Sequence, residues 1–172
     1  MGLAFFASGL ASGSRHQVPT GAGYSLLLLA HVASAVVGFG ALGVTGVQAA
    51  RARQGPTGSH AAAARRYFHP GVNWAARALY LVPVSGFGLL TYSGGAFDVS
   101  DAFVLGGLGM WLAAAATAEV LVWPAERRIQ HVVTQDWRGG EALGRDWARV
   151  VGSTWFLAFV LVAAIVVMVA KP

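Results

Sequence analysis

Four residues of this chain could do chemistry within apolar surroundings: His31, Met110, Arg77 and Glu119. His31 interrupts Tyr24–Gln48 (YSLLLLAHVASAVVGFGALGVTGVQ), a run with no Asp, Glu, Lys or Arg. An imidazole placed there is either a cofactor ligand or a hydrogen-bonding group for a neighbouring helix. At roughly 1.5 Å rise per residue, His31 falls about two turns below the end of its run, and Met110, in GLGMW, is expected at matching depth in another run. Histidine and methionine are both haem-iron ligand types. Gly86, Gly88, Gly106, Gly107 and Gly109 lie at similar depth and would leave room for a flat macrocycle. His31 and Met110 are therefore the candidate cofactor-binding residues, with haem b as the cofactor and the haem iron at His31 as the metal site. The competing reading is ordinary helix packing around a histidine and a space-filling methionine. Bis-histidine ligation within one bundle is excluded, since the apolar runs hold no second histidine.

Arg77 and Glu119 lie near the same end of two further apolar runs. An isolated charge at the centre of a membrane helix costs at least about 2.5–3.5 kcal/mol on insertion scales, so the two are expected to form a buried ion pair. A proton path or an anionic ligand site is the functional alternative. Asn73, Arg77, Tyr80 and Val84 share one helical face, so Asn73 and Tyr80 would extend a polar pocket there. His16, His60, His69 and His131 have no metal-ligand spacing and are read as solvated. No nucleophile–base arrangement, phosphate-cradling glycine loop or carboxylate dyad is present, so no catalytic residue is assigned and an enzyme is the less favoured reading.

The elements that must position these residues follow from composition. The 172 residues are 56% hydrophobic and 11% charged, far below the roughly 25% charge of soluble domains. There is no cysteine, which excludes disulfides, thiolate metal sites and thiol catalysis. The net charge of +5 reads as a topology signal, because no basic run is interleaved with aromatics as nucleic-acid binding would require. Four apolar stretches, about 24–48, 72–92, 102–123 and 151–170, each approach the roughly 20 residues that span a bilayer. Stretches this long and continuous satisfy their backbone in lipid as helices.

The expected fold is all-α: a four-helix transmembrane bundle over residues 24–172, after an external N-terminal segment, 1–23, without signal-peptide character. Arg51, Arg53, Arg65 and Arg66 sit in one connection, and Arg127, Arg128, Arg138, Arg145 and Arg149 in another. The connection between them, SGGAFDVSD, holds only Asp98 and Asp101. Positive loops stay inside, giving an N-out/C-out arrangement. After the third span, PAERRIQHVVTQDW carries Ile129, Val132 and Val133 on one side, and is expected to lie on the inner surface as an amphipathic extension. Within the first span, His31, Ser34, Gly38, Ala41, Thr45 and Gln48 recur three or four apart and form one inward stripe.

The landmarks LLLLAHVASAVVGFGALG, FHPGVNWAARALYLVPVSGFGLL and LVWPAERRIQ, across about residues 24–135, resemble a bacterial family of predicted integral membrane proteins of unknown function. That resemblance implies four helices and no particular activity. The L-x-H-V opening around His31 is also similar to four-helix haem-associated membrane proteins, the bacterial protoporphyrinogen oxidases and the copper-resistance D type, which implies a functional role for His31. The oxidase type has a further histidine at the end of its first span; here that segment reads GVTGVQAARAR.

The favoured reading is an accessory or structural subunit of a larger complex, multi-pass in the bacterial cytoplasmic (inner) membrane. Its expected partners are the lipid bilayer and other membrane subunits or a second copy, without nucleic acid. The competitors are a b-haem or quinone-binding electron-transfer protein using His31, and a small transporter or channel with Arg77 and Glu119 on its path.

Overall fold

The computed structural model describes residues 21–53, 58–135 and 143–170, and every regular element among them is helical. The N-terminal residues 1–20, with His16, lie outside the described residues. Helix α1 runs Ala22–Ala52, α2 Gly58–Tyr67 and α3 Trp74–Arg77. A 3₁₀ turn, Ala78–Tyr80, joins α3 to α4, Leu81–Tyr92. Helix α5, Ala102–Thr117, continues through a π-helical turn, Ala118–Val122, into α6, Trp123–Gln135. Helix α7, Gly144–Ala170, closes the chain.

Three helical stretches are long and apolar enough to cross a membrane: Ala22–Ala52, Ala102–Gln135 and Gly144–Ala170. The second apolar stretch is helical throughout 74–92 but broken into three pieces. Pro83 explains the break. Its ring displaces the α-helical bond that would end on the Leu79 carbonyl, and the chain tightens to 3₁₀ geometry just before it. Large apolar side chains such as Leu26, Val36, Val84, Val120, Phe159 and Val169 stand on the outside of the bundle, as lipid-facing residues do.

The bundle holds together at two levels. In the first, Leu42 of α1, Ala76 and Leu79 of the second stretch, Ala114, Ala118 and Val122 of the third and Leu157 of α7 form one buried cluster. Small residues make it possible. A Cβ on Gly38 would stand 2.6 Å from the Leu79 backbone nitrogen, so only glycine lets α1 lie directly on the second stretch. The expected inward stripe is where the first span packs: Ser34, Gly38 and Thr45 are buried, and His31, Ala41 and Gln48 are half-buried.

The second level lies beyond the apolar part of the third stretch. The helix from Ala102 to Gln135 has 34 residues. At 1.5 Å per residue it is about 51 Å long, against a hydrocarbon core of about 30 Å. Its apolar part ends at Trp123, and α6 continues it with a largely polar sequence. The expectation that this extension lies on the membrane surface is corrected here. Ile129 and Val133 are buried in a cluster with Ala49 and Ala52 of α1, Ala64 of α2, Phe68 just after it, and Trp147 and Val150 of α7. Phe68 meets Trp147 edge-on at 5.3 Å between ring centroids. An apolar helix face is covered as well by neighbouring helices as by lipid, and here three helix ends are available to cover it.

Gly38→Ala should lower the stability of the purified protein by about 1–3 kcal/mol, the usual cost of overpacking. Gly40→Ala, where a Cβ meets nothing within 4 Å, should leave the thermal unfolding midpoint nearly unchanged.

Candidate functional site

The polar groups gather where the second stretch begins and the third ends. Arg77, at the end of α3, places Nη1 3.4 Å from Glu119 Oε1. The same carboxylate oxygen accepts a short hydrogen bond from the Tyr80 hydroxyl. The Arg77 guanidinium also lies 3.5 Å from the centroid of the Trp123 ring, a cation–π contact. The group is not buried as expected: the Arg77 and Glu119 side chains are 28% and 49% exposed. Trp123 and Tyr80 lie on one side of the arginine, and its side chain stays partly exposed. An open groove lined by Val72, Trp74, Arg77, Ala78, Tyr80 and Leu81 runs beside it.

The π-helical turn decides which side Glu119 faces. Pro124 has no N–H and its ring crowds the carbonyl four residues back, Val120. The chain responds by widening, and the Trp123 N–H bonds the Ala118 carbonyl five residues back. In an unbroken α-helix, residues 119 and 126 would share a face. One extra residue in the turn rotates them apart by about 100°. Glu119 is consequently exposed, whereas Glu126 is 6% exposed.

Glu126 is therefore buried, like Ala125 and Ile129 on the same helix. It has no hydrogen-bond or ion-pair partner among the described residues. Burial pushes its carboxyl above the usual carboxylate range, with Arg77 and then Arg127 pulling the other way. The Tyr67 hydroxyl lies 2.6 Å from Thr45 Oγ1, and Thr45 in turn donates to the Ala41 carbonyl at 3.0 Å. Burial pushes the Tyr67 phenol up, and the Thr45 bond partly offsets this. Asn73 caps α3 by accepting from the Ala76 N–H at 3.2 Å.

His31 occupies a different place, nearer the other end of α1. Its Nδ1 lies 2.9 Å from the Val82 carbonyl and 3.3 Å from Ser85 Oγ. A carbonyl only accepts, so Nδ1 carries the proton and, in the neutral ring, Nε2 is left as the acceptor. Gly86 lies against the ring: a Cβ there would come within 3.3 Å of His31 Cε1. Met110 is half-buried and packs on the cluster whose α1 member is Leu42, about three turns along α1 from His31. Its neighbour Trp111 donates from Nε1 to the Leu79 carbonyl at 2.9 Å. His31 and Met110 thus contact different parts of the bundle.

His69 Nδ1 is 3.1 Å from the Pro70 carbonyl, and His131 Nε2 is 3.2 Å from Gln135 Nε2, both on exposed surface. The His60 side chain lies outside the described residues. Among the described residues no three His, Cys, Asp or Glu side chains gather as a metal site would need. Sequence reasoning missed Tyr67, Glu126 and Trp111. Two prolines were the available signals. Pro83 frees the carbonyl that Trp111 takes, and Pro124 forces the turn that buries Glu126.

Arg77→Leu and Glu119→Leu should each destabilise the protein, and the double variant should recover about 0.5–1 kcal/mol of the summed loss, the range for a partly exposed pair. Thermal unfolding in detergent measures the cycle; strictly additive losses would mean the two are uncoupled.

Comparison with curated proteins and with solved structures returns no match. A family model described as "Predicted integral membrane protein (DUF2269)" matches residues 25–172, and the chain belongs to that family.

Proposed function

We infer that the protein is a four-span, N-out/C-out accessory subunit of the bacterial cytoplasmic membrane, packing beside a partner through one face of α1. A single observation carries the reading. Helix α1 has two glycine faces. Gly38 and Gly46 are buried against Leu79 and Thr154 within the bundle. Gly40 and Gly43 point elsewhere, and a Cβ at either would meet nothing within 4 Å. Exposed Val36, Val44 and Val47 flank them. Such a face lets another helix approach closely in lipid. The same chemistry that joins α1 to the second stretch is thus repeated, unused, on its outer side.

Purification in mild detergent at native expression should recover a stoichiometric membrane partner or a homo-oligomer. Gly40→Leu should reduce that recovery at least about tenfold, equivalent to roughly 1.4 kcal/mol. A clean monomer from the unaltered protein would end the subunit reading. Orientation is testable because the chain has no cysteine. A thiol reagent that does not cross membranes should label Val99→Cys in intact cells and Gln135→Cys only after permeabilisation.

A second reading, b-haem or quinone bound at His31, is supported by the anchored Nδ1, which leaves Nε2 as the only ring atom able to accept a donor or ligate iron. The Met110 co-ligand has no such support, because its packing lies with the Leu42 and Leu79 cluster. Purified protein should then show a Soret band that His31→Ala abolishes. A colourless preparation that stays colourless with added haemin would leave His31 as a packing residue.

A further inference from the structure

One face of the second apolar stretch sets a cation among outward-facing apolar residues. Trp74, Arg77, Leu81 and Val84 follow one another three or four residues apart and so lie along one side of the helix. Trp74, Leu81 and Val84 are 77%, 57% and 67% exposed. Arg77 lines an open groove with Val72, Trp74, Ala78, Tyr80 and Leu81, and there is no carboxylate among these residues. We propose that the groove holds one anionic phospholipid, with its phosphate on the Arg77 guanidinium and an acyl chain along Leu81 and Val84.

The depth of Arg77 suits a lipid phosphate. The chain is non-helical from His69 to Asn73, and the apolar helix begins at Trp74. Arg77 stands three residues further on, about 4.5 Å deeper. The headgroup layer begins at the edge of the hydrocarbon and is roughly 5–8 Å deep on each side. The long arginine stem carries its guanidinium back to that level. Trp74, exposed at the helix start, is placed as interfacial tryptophans are. Leu81 and Val84 lie one and two turns deeper, where the acyl chains begin.

The chemistry of the groove suits an anion. Among the described residues Arg77 donates one hydrogen bond, from Nη1 to Glu119 at 3.4 Å. Glu119 takes its short hydrogen bond from Tyr80 and does not depend on the arginine alone. The other guanidinium N–H groups have no acceptor among the described residues, and a planar guanidinium can offer paired donors to two phosphate oxygens. The Trp123 ring, with its centroid 3.5 Å from the guanidinium carbon, holds the cation in place before a lipid arrives. Binding then costs less side-chain entropy than it would on a free surface arginine. A zwitterionic lipid would also bring an ammonium, for which the groove lining has no carboxylate. Glu119 opposes the phosphate by like-charge repulsion, so its charge limits how tightly the lipid is held.

Native mass spectrometry of the full-length protein in mild detergent reads the site, with phosphatidylglycerol or phosphatidylcholine added at equal concentration. Phosphatidylglycerol should be retained about tenfold more than phosphatidylcholine, equivalent to roughly 1.4 kcal/mol. Arg77→Gln should abolish that preference, whereas Glu119→Gln should raise it. Loss of the preference in both variants alike would mean that the pair only holds the fold, and would overturn the proposal. If Arg77→Gln fails to fold, Trp74→Glu takes its place: the position is 77% exposed, and a carboxylate there, one turn from Arg77, should also abolish the preference. Equal retention of the two lipids by the unaltered protein, or a preference that survives Arg77→Gln or Trp74→Glu, would sink the site. So would an equal loss in Arg145→Gln, an exposed arginine in the first turn of α7, because the preference would then belong to basic charge in general. Displacement by inorganic phosphate beyond that by chloride at matched ionic strength would overturn the lipid in favour of a free anion.

Discussion

The carbonyls of the second apolar stretch are the constraint around which the membrane part is built. In lipid no water is at hand for a peptide group, and a proline takes one helical bond away. Pro83 does this to the Leu79 carbonyl, and Trp111 of α5 supplies the missing donor. One turn on, His31 of α1 donates to the Val82 carbonyl. The broken second stretch is thus held from two sides by ring N–H groups. Gly38 makes the grip possible by letting α1 lie against Leu79. In this arrangement His31 has a complete structural role, whatever its free nitrogen does in addition.

The half of the bundle beyond Trp123 obeys different physics. Phe68, Ile129 and Trp147 are buried as they would be in a small water-soluble core. Arg128 holds Asp146 through three contacts of 2.7–3.2 Å and so ties α6 to α7. Burial of large apolar side chains gives this region a hydrophobic driving force that helices in lipid lack. The part before Trp123 relies on close approach of small residues, whereas the part beyond it relies on burial of large apolar side chains. The Arg77 group sits at the seam, with its arginine on Trp123, a residue buried in the membrane-side cluster.

Much of this was legible in the residues. Length and apolarity marked the helical stretches, and the spacing of Ser34, Gly38 and Thr45 marked the packed face of α1. Matched depth brought Arg77 and Glu119 to attention together, and the structure sets them in contact. What was not legible has physical reasons. A period of 3.6 residues shows that α6 has an apolar face, but not whether lipid or protein covers it. The stripe on α1 shows that His31 points inward, but not that a backbone carbonyl waits for it. Glu126 was overlooked because a uniform helix would put it on the same face as Glu119.

That last point reaches beyond one glutamate. The π-helical turn at Ala118–Val122 acts as a phase shift in a 34-residue helix. The membrane half and the inner half need not present the same azimuth to the rest of the chain. Each half can be matched to its own neighbours, α5 to lipid and α7, α6 to α2 and α7, without the compromise that a single periodicity would impose. A helix of constant pitch would oblige any change in the lipid-facing surface to be answered in the water-excluding core. Here the two surfaces are free to vary separately.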